Sequence, residues 1–178
     1  MHTWVALFRG INVGGNNILK MAELKNLLQS LGCSEVKTYI QSGNVVFQSA
    51  GKKPAPLTRK IRTGVKAQYG FEPKVLLLTP SELRAAVDGN PFAKAITEPK
   101  TLHFFFLEAS ATQPDFASLD QAKSPSEEYE LADGVFYLHA PEGIGRSKLA
   151  ANAEKHLGVA TTARNYRTVE KVLSMVMT

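Results

Sequence analysis

Apolar residues follow two patterns along this chain: short continuous runs, and stripes in which every third or fourth residue is apolar. The runs are typical of buried β-strands, and the stripes are typical of helices with one buried face. The first half of the chain predicts the order βαββαβα. Its elements are a strand at 4–8, a helix from 19 or 20 to 31, strands at 36–41 and 45–48, a helix with Leu57, Ile61 and Val65 on one face, a strand at 73–79 and a helix from 80 to about 88.

The second half predicts the same order with different residues. Each half also contains a predicted hairpin, with a turn at 42–44 in the first and at 132–134 in the second, because Gly, Asn and Asp favour tight turns between strands. The elements of the second half are a strand at 102–107, a helix at 113–122, strands at 128–131 and 135–139, a helix at 147–157, a short extended piece at 159–161 and a helix at 166–177.

A repeated βαββαβ order predicts an α+β protein made of two ferredoxin-like units, each an antiparallel sheet with helices on one face. We place the boundary in the segment 90–100, which contains Pro91 and Pro99, and therefore expect units at 1–90 and 91–178. Two such units side by side are expected to place a cleft between them.

Composition narrows the function classes. A single cysteine, Cys33, allows no intramolecular disulfide and no CxxC site, and no segment reaches the roughly 20 apolar residues that cross a bilayer. We therefore expect a cytoplasmic protein. The charge is uneven: residues 1–90 hold 12 Lys and Arg against 5 Asp and Glu, whereas residues 91–178 hold 9 against 11. Such an asymmetry suits an anionic partner, although solvated surfaces also produce it.

The leading candidate site is the segment RGINVGGNN at 9–17, which lies between a predicted strand and a predicted helix. Glycines let backbone N–H groups turn toward an anion, and a helix N-terminus favours negative charge. The alternative is a tight turn that uses Gly and Asn for positive φ. The candidate ligand-binding residues in this segment are Arg9, Gly10, Asn12, Gly14, Gly15 and Asn16.

Three further segments carry candidate residues. At 143–148, GIGRSK combines glycines with a hydroxyl and an ammonium group, which suits an oxyanion; the alternative is that Ser147 only caps a helix. At 161–168, TTARNYRT enters the last predicted helix, where basic residues in a first turn oppose the helix dipole. The turn at 42–44 is explained by turn chemistry alone. The candidate residues are Ser147 and Lys148, Arg164 and Asn165, and Ser42 and Asn44.

Several chemistries lack support. The segment at 9–17 is neither a Walker A loop nor a GxGxxG dinucleotide loop, and the four histidines show no metal-binding spacing, so no cofactor or metal is predicted. Glu127, Glu128 and Glu130 are interpreted as a solvated strand face and not as an acid/base pair. No nucleophile with a matched base stands out, so whether the protein is an enzyme stays open.

The segments RGINVGGNN, TYIQSGNVVF, NPF, GxGRSKL and TARNYRTVEKVL together resemble a bacterial family known as domain of unknown function 1697. The resemblance runs from Ala6 almost to the C-terminus. It implies paired ferredoxin-like units and implies no established activity. The family more usually has Trp where this chain has Tyr166.

Two hypotheses follow. In the first, residues of the segments at 9–17, 143–148 and 161–168 meet in the cleft and bind a small anionic ligand, a nucleotide or a phosphorylated metabolite. In the second, the basic first unit binds RNA or single-stranded DNA, because the RNA-recognition motif shares the βαββαβ order. The glycine–aromatic signature of that motif is missing, and Trp4, Phe8 and Phe47 are the few aromatic residues its strands offer. Oligomeric state and pathway are not encoded in any recognisable pattern.

Overall fold

The computed structural model describes residues 1–177 and contains two four-stranded antiparallel sheets with six α-helices. The elements in chain order are β1 (His2–Arg9), α1 (Met21–Ser30), β2 (Ser34–Tyr39), β3 (Asn44–Ser49), α2 (Pro54–Tyr69), β4 (Lys74–Leu78), α3 (Pro80–Asp88), a 3₁₀ helix (Ala93–Thr97), β5 (Leu102–Leu107), α4 (Phe116–Ala122), β6 (Glu128–Ala132), β7 (Val135–His139), α5 (Lys148–Leu157), β8 (Thr161–Asn165) and α6 (Tyr166–Val176). The predicted α+β class with two ferredoxin-like units is confirmed.

The first sheet has the strand order β2-β3-β1-β4, with β1 at its centre. Alternate residues of β1, beginning with Trp4 and ending with Phe8, point to the face that α1 and α2 cover. The apolar stripes of the two helices pack on this face and form one core with it. The helical residues of that core are Leu24, Leu27, Leu28, Leu57, Ile61 and Val65, each less than a tenth exposed.

The second sheet repeats this arrangement with the order β6-β7-β5-β8. Phe105, Phe136 and Leu138 of its central strands pack against α4 and α5. The helices contribute Leu119 and the stripe Leu149, Ala153 and Leu157, whose spacing of four residues matches one helical face. The two rings of Phe105 and Phe136 meet edge to face with centroids 5.6 Å apart, a favourable aromatic geometry.

Sequence and structure differ most at the last strand. The extended piece predicted at 159–161 is instead β8, Thr161–Asn165, whereas α6 begins at Tyr166 as predicted. Arg164 therefore lies on a strand opposite Phe104 of β5, and the expectation that it occupies the first turn of a helix is wrong. Of the two basic residues, only Arg167 stands in that turn.

By the contacts that residues make, the chain divides into a first unit of residues 1–84 and 171–177 and a second unit of residues 85–170. That the chain consists of two domains, at 1–90 and 91–178, stays a prediction. The predicted linker contains the 3₁₀ helix Ala93–Thr97. Up to residue 177, none of the helices has both the length and the apolar character that a membrane span requires.

Candidate functional site

The segment from Gly10 to Asn17 is a compact loop between β1 and α1 that turns repeatedly through positive φ. The amide of Asn12 donates to the Asn17 carbonyl oxygen at 3.1 Å, and the amide of Asn16 donates to that of Val13 at 3.0 Å, so the loop folds back on itself. Positive φ is easy for glycine and tolerable for asparagine, which explains the composition. The residues with positive φ are Gly10, Asn12, Gly14, Gly15 and Asn17, with values from 51° to 78°.

The side chain of Asn12 holds this loop to the neighbouring hairpin. Its Nδ2 donates to the carbonyl oxygens of Leu19 at 2.8 Å and Gln41 at 2.9 Å, and its Oδ1 accepts from the Leu19 amide at 2.8 Å. Both Nδ2 hydrogens and one Oδ1 lone pair are therefore used within the protein. Asn12 positions the loop, whereas the tip at 13–18 is exposed and leaves its backbone accessible.

The hairpin tip that Asn12 contacts is itself organised by a buried asparagine. Asn44 is fully buried, and its Nδ2 donates to the carbonyl oxygen of Tyr39 and to Ser42 Oγ, both at 3.0 Å. Gly43, between them, has φ of +79° and accepts from the Phe8 amide at 2.8 Å. The structure thus joins the loop to the hairpin through the hydrogen bond from Asn12 to Gln41 in the first unit.

The second unit contains a cavity of about 490 Å³ at the N-terminus of α5. Gly143, with φ of +91°, turns the chain ahead of the helix, and Ser147 is its N-cap, with Oγ accepting from the Ala150 amide at 3.0 Å. The first N–H groups of a helix have no partner within it, so this end carries partial positive charge. The charged residues that line the cavity are Lys123, Arg146 and Lys148, with Glu127 and Glu142.

Lys123 and Glu127 reach this cavity from the turn between α4 and β6, and sequence reasoning missed both of them as site residues. Glu127 is 4% exposed, so it is not part of the solvated face on which we placed it. Its Oε2 accepts from the Ser124 amide at 3.0 Å, and its carbonyl oxygen accepts from Lys123 Nζ at 2.9 Å. The spacing Ser-x-x-Glu at 124–127 could have indicated this turn, because it is typical of paired hydrogen bonds between the first and the last residue of the motif.

Arg164 and Asn165 do not line this cavity. The Arg164 guanidinium donates to the Ala163 carbonyl oxygen at 2.8 Å, and burial lowers the pKa of Arg164 to about 10. Asn165 Oδ1 accepts from the Thr168 amide at 2.9 Å, which explains its position immediately before α6 as a helix cap. Of the four candidate residues in the second unit, Ser147 and Lys148 line the cavity.

Trp4, Phe8 and Phe47, the aromatic residues considered for an RNA-recognition surface, cannot serve as a base-stacking platform. Trp4, Phe8 and Phe47 are at most 4% exposed and belong to the core beneath α1 and α2. Trp4 Nε1 also donates to the Gly51 carbonyl oxygen at 3.1 Å. Single-stranded RNA is recognised through exposed aromatic rings on a sheet, and these rings are not exposed.

Residues 1–177 contain no group of three or more His, Cys, Asp or Glu side chains placed to hold a metal ion. The functional groups that line the cavity beside α5 are cationic side chains, the hydroxyl of the Ser147 cap and backbone amides. Those groups suit an anion, and phosphate oxygens in particular.

A family described as "Protein of unknown function (DUF1697)" matches residues 1–137. The match includes the loop at 10–17 and the hairpin at 42–44, and it ends before Gly143. Among solved structures, the chain is similar to the conserved bacterial protein SP0830 from Streptococcus pneumoniae, with 28% identity, a TM-score of 0.74 and coverage of 98% of both chains. No curated protein matches the sequence significantly. Because the family match spans most of the chain, this protein belongs to the family of unknown function DUF1697.

Proposed function

We propose that the protein binds a small anionic ligand, a nucleotide or a phosphorylated metabolite, and that the cavity beside α5 binds its phosphate. The observation that carries the proposal is the convergence of Lys123, Arg146 and Lys148 on a cavity that also holds the N-terminus of α5. Its volume of about 490 Å³ lies within the range of roughly 300–1,000 Å³ that is typical of ligand pockets.

Arg146 and Lys148 do not stabilise α5. A basic residue at the start of a helix opposes the macrodipole and costs a few tenths of a kcal/mol, up to about 1 kcal/mol. Lys148 is the first residue of α5 and Arg146 precedes the Ser147 cap. A bound phosphate would reverse this cost, because it would interact favourably with the dipole and with both side chains.

The acidic residues of the cavity favour a ligand that is more than a bare phosphate. Glu142 lines the same cavity, and Glu127 there accepts a backbone hydrogen bond. Carboxylates accept hydrogen bonds, so they suit hydroxyl or amino groups such as those of a ribose or a base. We therefore favour nucleotides and sugar phosphates over inorganic phosphate. No reaction is proposed.

In the first unit, we retain Arg9 and the exposed loop tip as a second group of ligand-binding residues. The proposal rests on the exposed backbone of Gly14 and Gly15, whose conformations leave room for close approach of an anion. Asn12 and Asn44 act here by fixing the loop and the hairpin. We expect Arg9→Gln to weaken binding of an anion at this loop.

The test is a thermal-shift screen of nucleotides and sugar phosphates against the full chain, followed by the variant Lys148→Gln. A ligand at 100 times its Kd stabilises by about 2.7 kcal/mol, which for a protein of this size raises the Tm by about 5–10 °C. We expect Lys148→Gln to abolish most of this shift. Without ligand, the same variant is expected to be no less stable than the parent, since it removes a charge that opposes the helix dipole.

The matched control is Lys155→Gln, which removes the same charge from the last turn of the same helix. That lysine interacts favourably with the dipole, so its loss lowers the Tm slightly and leaves the ligand shift intact. Equal loss of the shift in both variants would mean that the ligand responds only to net charge. A screen in which none of these compounds raises the Tm would refute the proposal.

A further inference from the structure

The exposed side of α2 in the first unit carries a stripe of cations. The buried side of the helix consists of Leu57, Ile61 and Val65, which pack under the sheet. At 100° per residue, the opposite side carries Arg59, Arg62 and Lys66 at positions i, i+3 and i+7.

This stripe is barely neutralised. The sequence of α2 contains no Asp or Glu, and Lys52 and Lys53 precede it. Glu72 is the acidic partner of both Arg62, at 3.0 Å, and Lys66, at 3.6 Å. The first unit as a whole holds 13 Lys and Arg against 4 Asp and Glu, a formal charge of +9, whereas the second holds 8 against 12, or −4.

The surface lacks the apolar anchors that other partners require. The large exposed apolar residues of the described chain are Met1, Val13, Ile18, Ile40, Ile96, Phe116 and Met177, none of which belongs to α2. Protein interfaces depend on buried aromatic and aliphatic anchors, and membrane-surface helices insert an apolar face. A partner of this surface must therefore be recognised through charge.

Two observations favour a nucleic-acid duplex over a single strand. Single strands are held by stacking on exposed aromatic rings. Trp4, Phe8 and Phe47 are buried in this core, and Tyr69 and Phe71, at the end of α2, pack against it. A duplex needs only phosphate contacts and carries one charge per about 1.7 Å of its axis. From Lys53 to Lys66 the helix spans about 20 Å, so several phosphates fall within reach.

We infer that the cationic face of α2, with Lys52 and Lys53 at its start, binds the phosphate backbone of duplex nucleic acid without reading base sequence. This inference is independent of the proposed small ligand, because its residues belong to α2 and to Lys52 and Lys53, whereas those proposed for the ligand line the cavity beside α5 or belong to the segment 9–17.

The test is fluorescence anisotropy of the full chain with labelled RNA and DNA duplexes of about 20 base pairs, titrated from about 50 to 200 mM salt. The logarithm of the affinity is expected to fall linearly with the logarithm of the salt concentration, by about 0.9 for each phosphate contacted. In the variant Arg59→Gln/Lys66→Gln, we expect this slope to decrease in magnitude by about 2 and binding at the lowest salt to weaken about tenfold. Its exposed ion pair with Glu72 contributes little to stability, and Trp4 fluorescence checks that the unit remains folded.

The matched control is Arg84→Gln/Lys171→Gln, which removes two exposed cations from α3 and α6 in the same unit. We expect its slope to equal that of the parent. Equal weakening by the two double variants would overturn the inference, as would absence of binding at the lowest salt. Tighter binding of a single strand, or equal binding of polyglutamate or of anionic vesicles, would likewise assign the surface to a different partner.

Discussion

At the scale of single residues, Gly43 shows most directly how the hairpin of the first unit depends on one side chain being absent. A Cβ at this position would lie 2.6 Å from Phe8 Cβ and 2.7 Å from Ile11 Cδ1, and φ is +79°. Gly43→Ala therefore combines backbone strain with a clash that displaces two buried residues. We expect it to lower the free energy of unfolding by about 3 kcal/mol or more, measured by urea denaturation.

The chain supplies a control for this variant. Gly134 occupies the corresponding turn of the second unit with φ of +78°, and a Cβ there would meet no atom within 4 Å. Gly134→Ala thus introduces the backbone strain alone, which costs about 1–2 kcal/mol. Similar losses in the two variants would show that the contact with Phe8 and Ile11 is unimportant.

His103 on β5 makes stability depend on pH. The ring is 7% exposed, its Nδ1 has no hydrogen-bond partner, and burial lowers its pKa from 6.5, partly opposed by a hydrogen bond with the Thr101 backbone. Because the unfolded chain binds this proton more readily, stability is full above about pH 6.5 and decreases as the pH falls below it. At pH 5 the loss is at most about 2 kcal/mol.

This dependence is measured by urea denaturation between about pH 5 and 7.5. His103→Gln is expected to flatten the curve in this range, whereas His2→Gln, at an exposed strand end, is expected to leave it unchanged. A steep acid loss that persists in His103→Gln would assign the effect to other groups.

At the scale of elements, the bounds of a helix or strand were predicted correctly where its own residues form a clear apolar pattern. The strands Leu102–Leu107 and Val135–His139 have the predicted bounds because both are continuous apolar runs between turn residues. The strand Thr161–Asn165 is polar and has no such pattern; its structure comes from pairing with β5, five residues to five. Tertiary pairing of this kind overrides local propensity, and no local pattern encodes it.

The same distinction applies to the candidate site. Ser147 and Lys148 could be identified from the sequence, because a glycine-rich turn and a capping residue a few positions apart indicate the start of a helix. Lys123 and Glu127 lie more than 15 residues earlier in the chain and reach the cavity only because α4 packs beside α5. Asn12 was identifiable as a loop residue, but its bonds to Leu19 and Gln41 required the hairpin to be in place.

At the scale of the whole molecule, the formal charge of +5 is divided into +9 on the first unit and −4 on the second. An excess of like charge destabilises the compact state through self-repulsion, and salt screens it over a Debye length of about 10 Å at 0.1 M. The first unit is therefore expected to gain stability when salt is added. The two exposed ion pairs of Glu72 with Arg62 and Lys66 lose little under the same conditions.

Trp4 makes this prediction measurable for the first unit alone. It is the single tryptophan of the chain and is 4% exposed within the core of that unit. We expect the urea midpoint followed by its fluorescence to rise between about 10 and 150 mM NaCl, by a gain on the order of 1 kcal/mol. In Arg59→Gln/Lys66→Gln the salt effect should be smaller, because part of the repulsion is already removed. A urea midpoint that falls as salt is added would mean that attractive ion pairs outweigh the net repulsion in the first unit. The cationic face of α2 would then have a structural role in place of the binding role inferred for it.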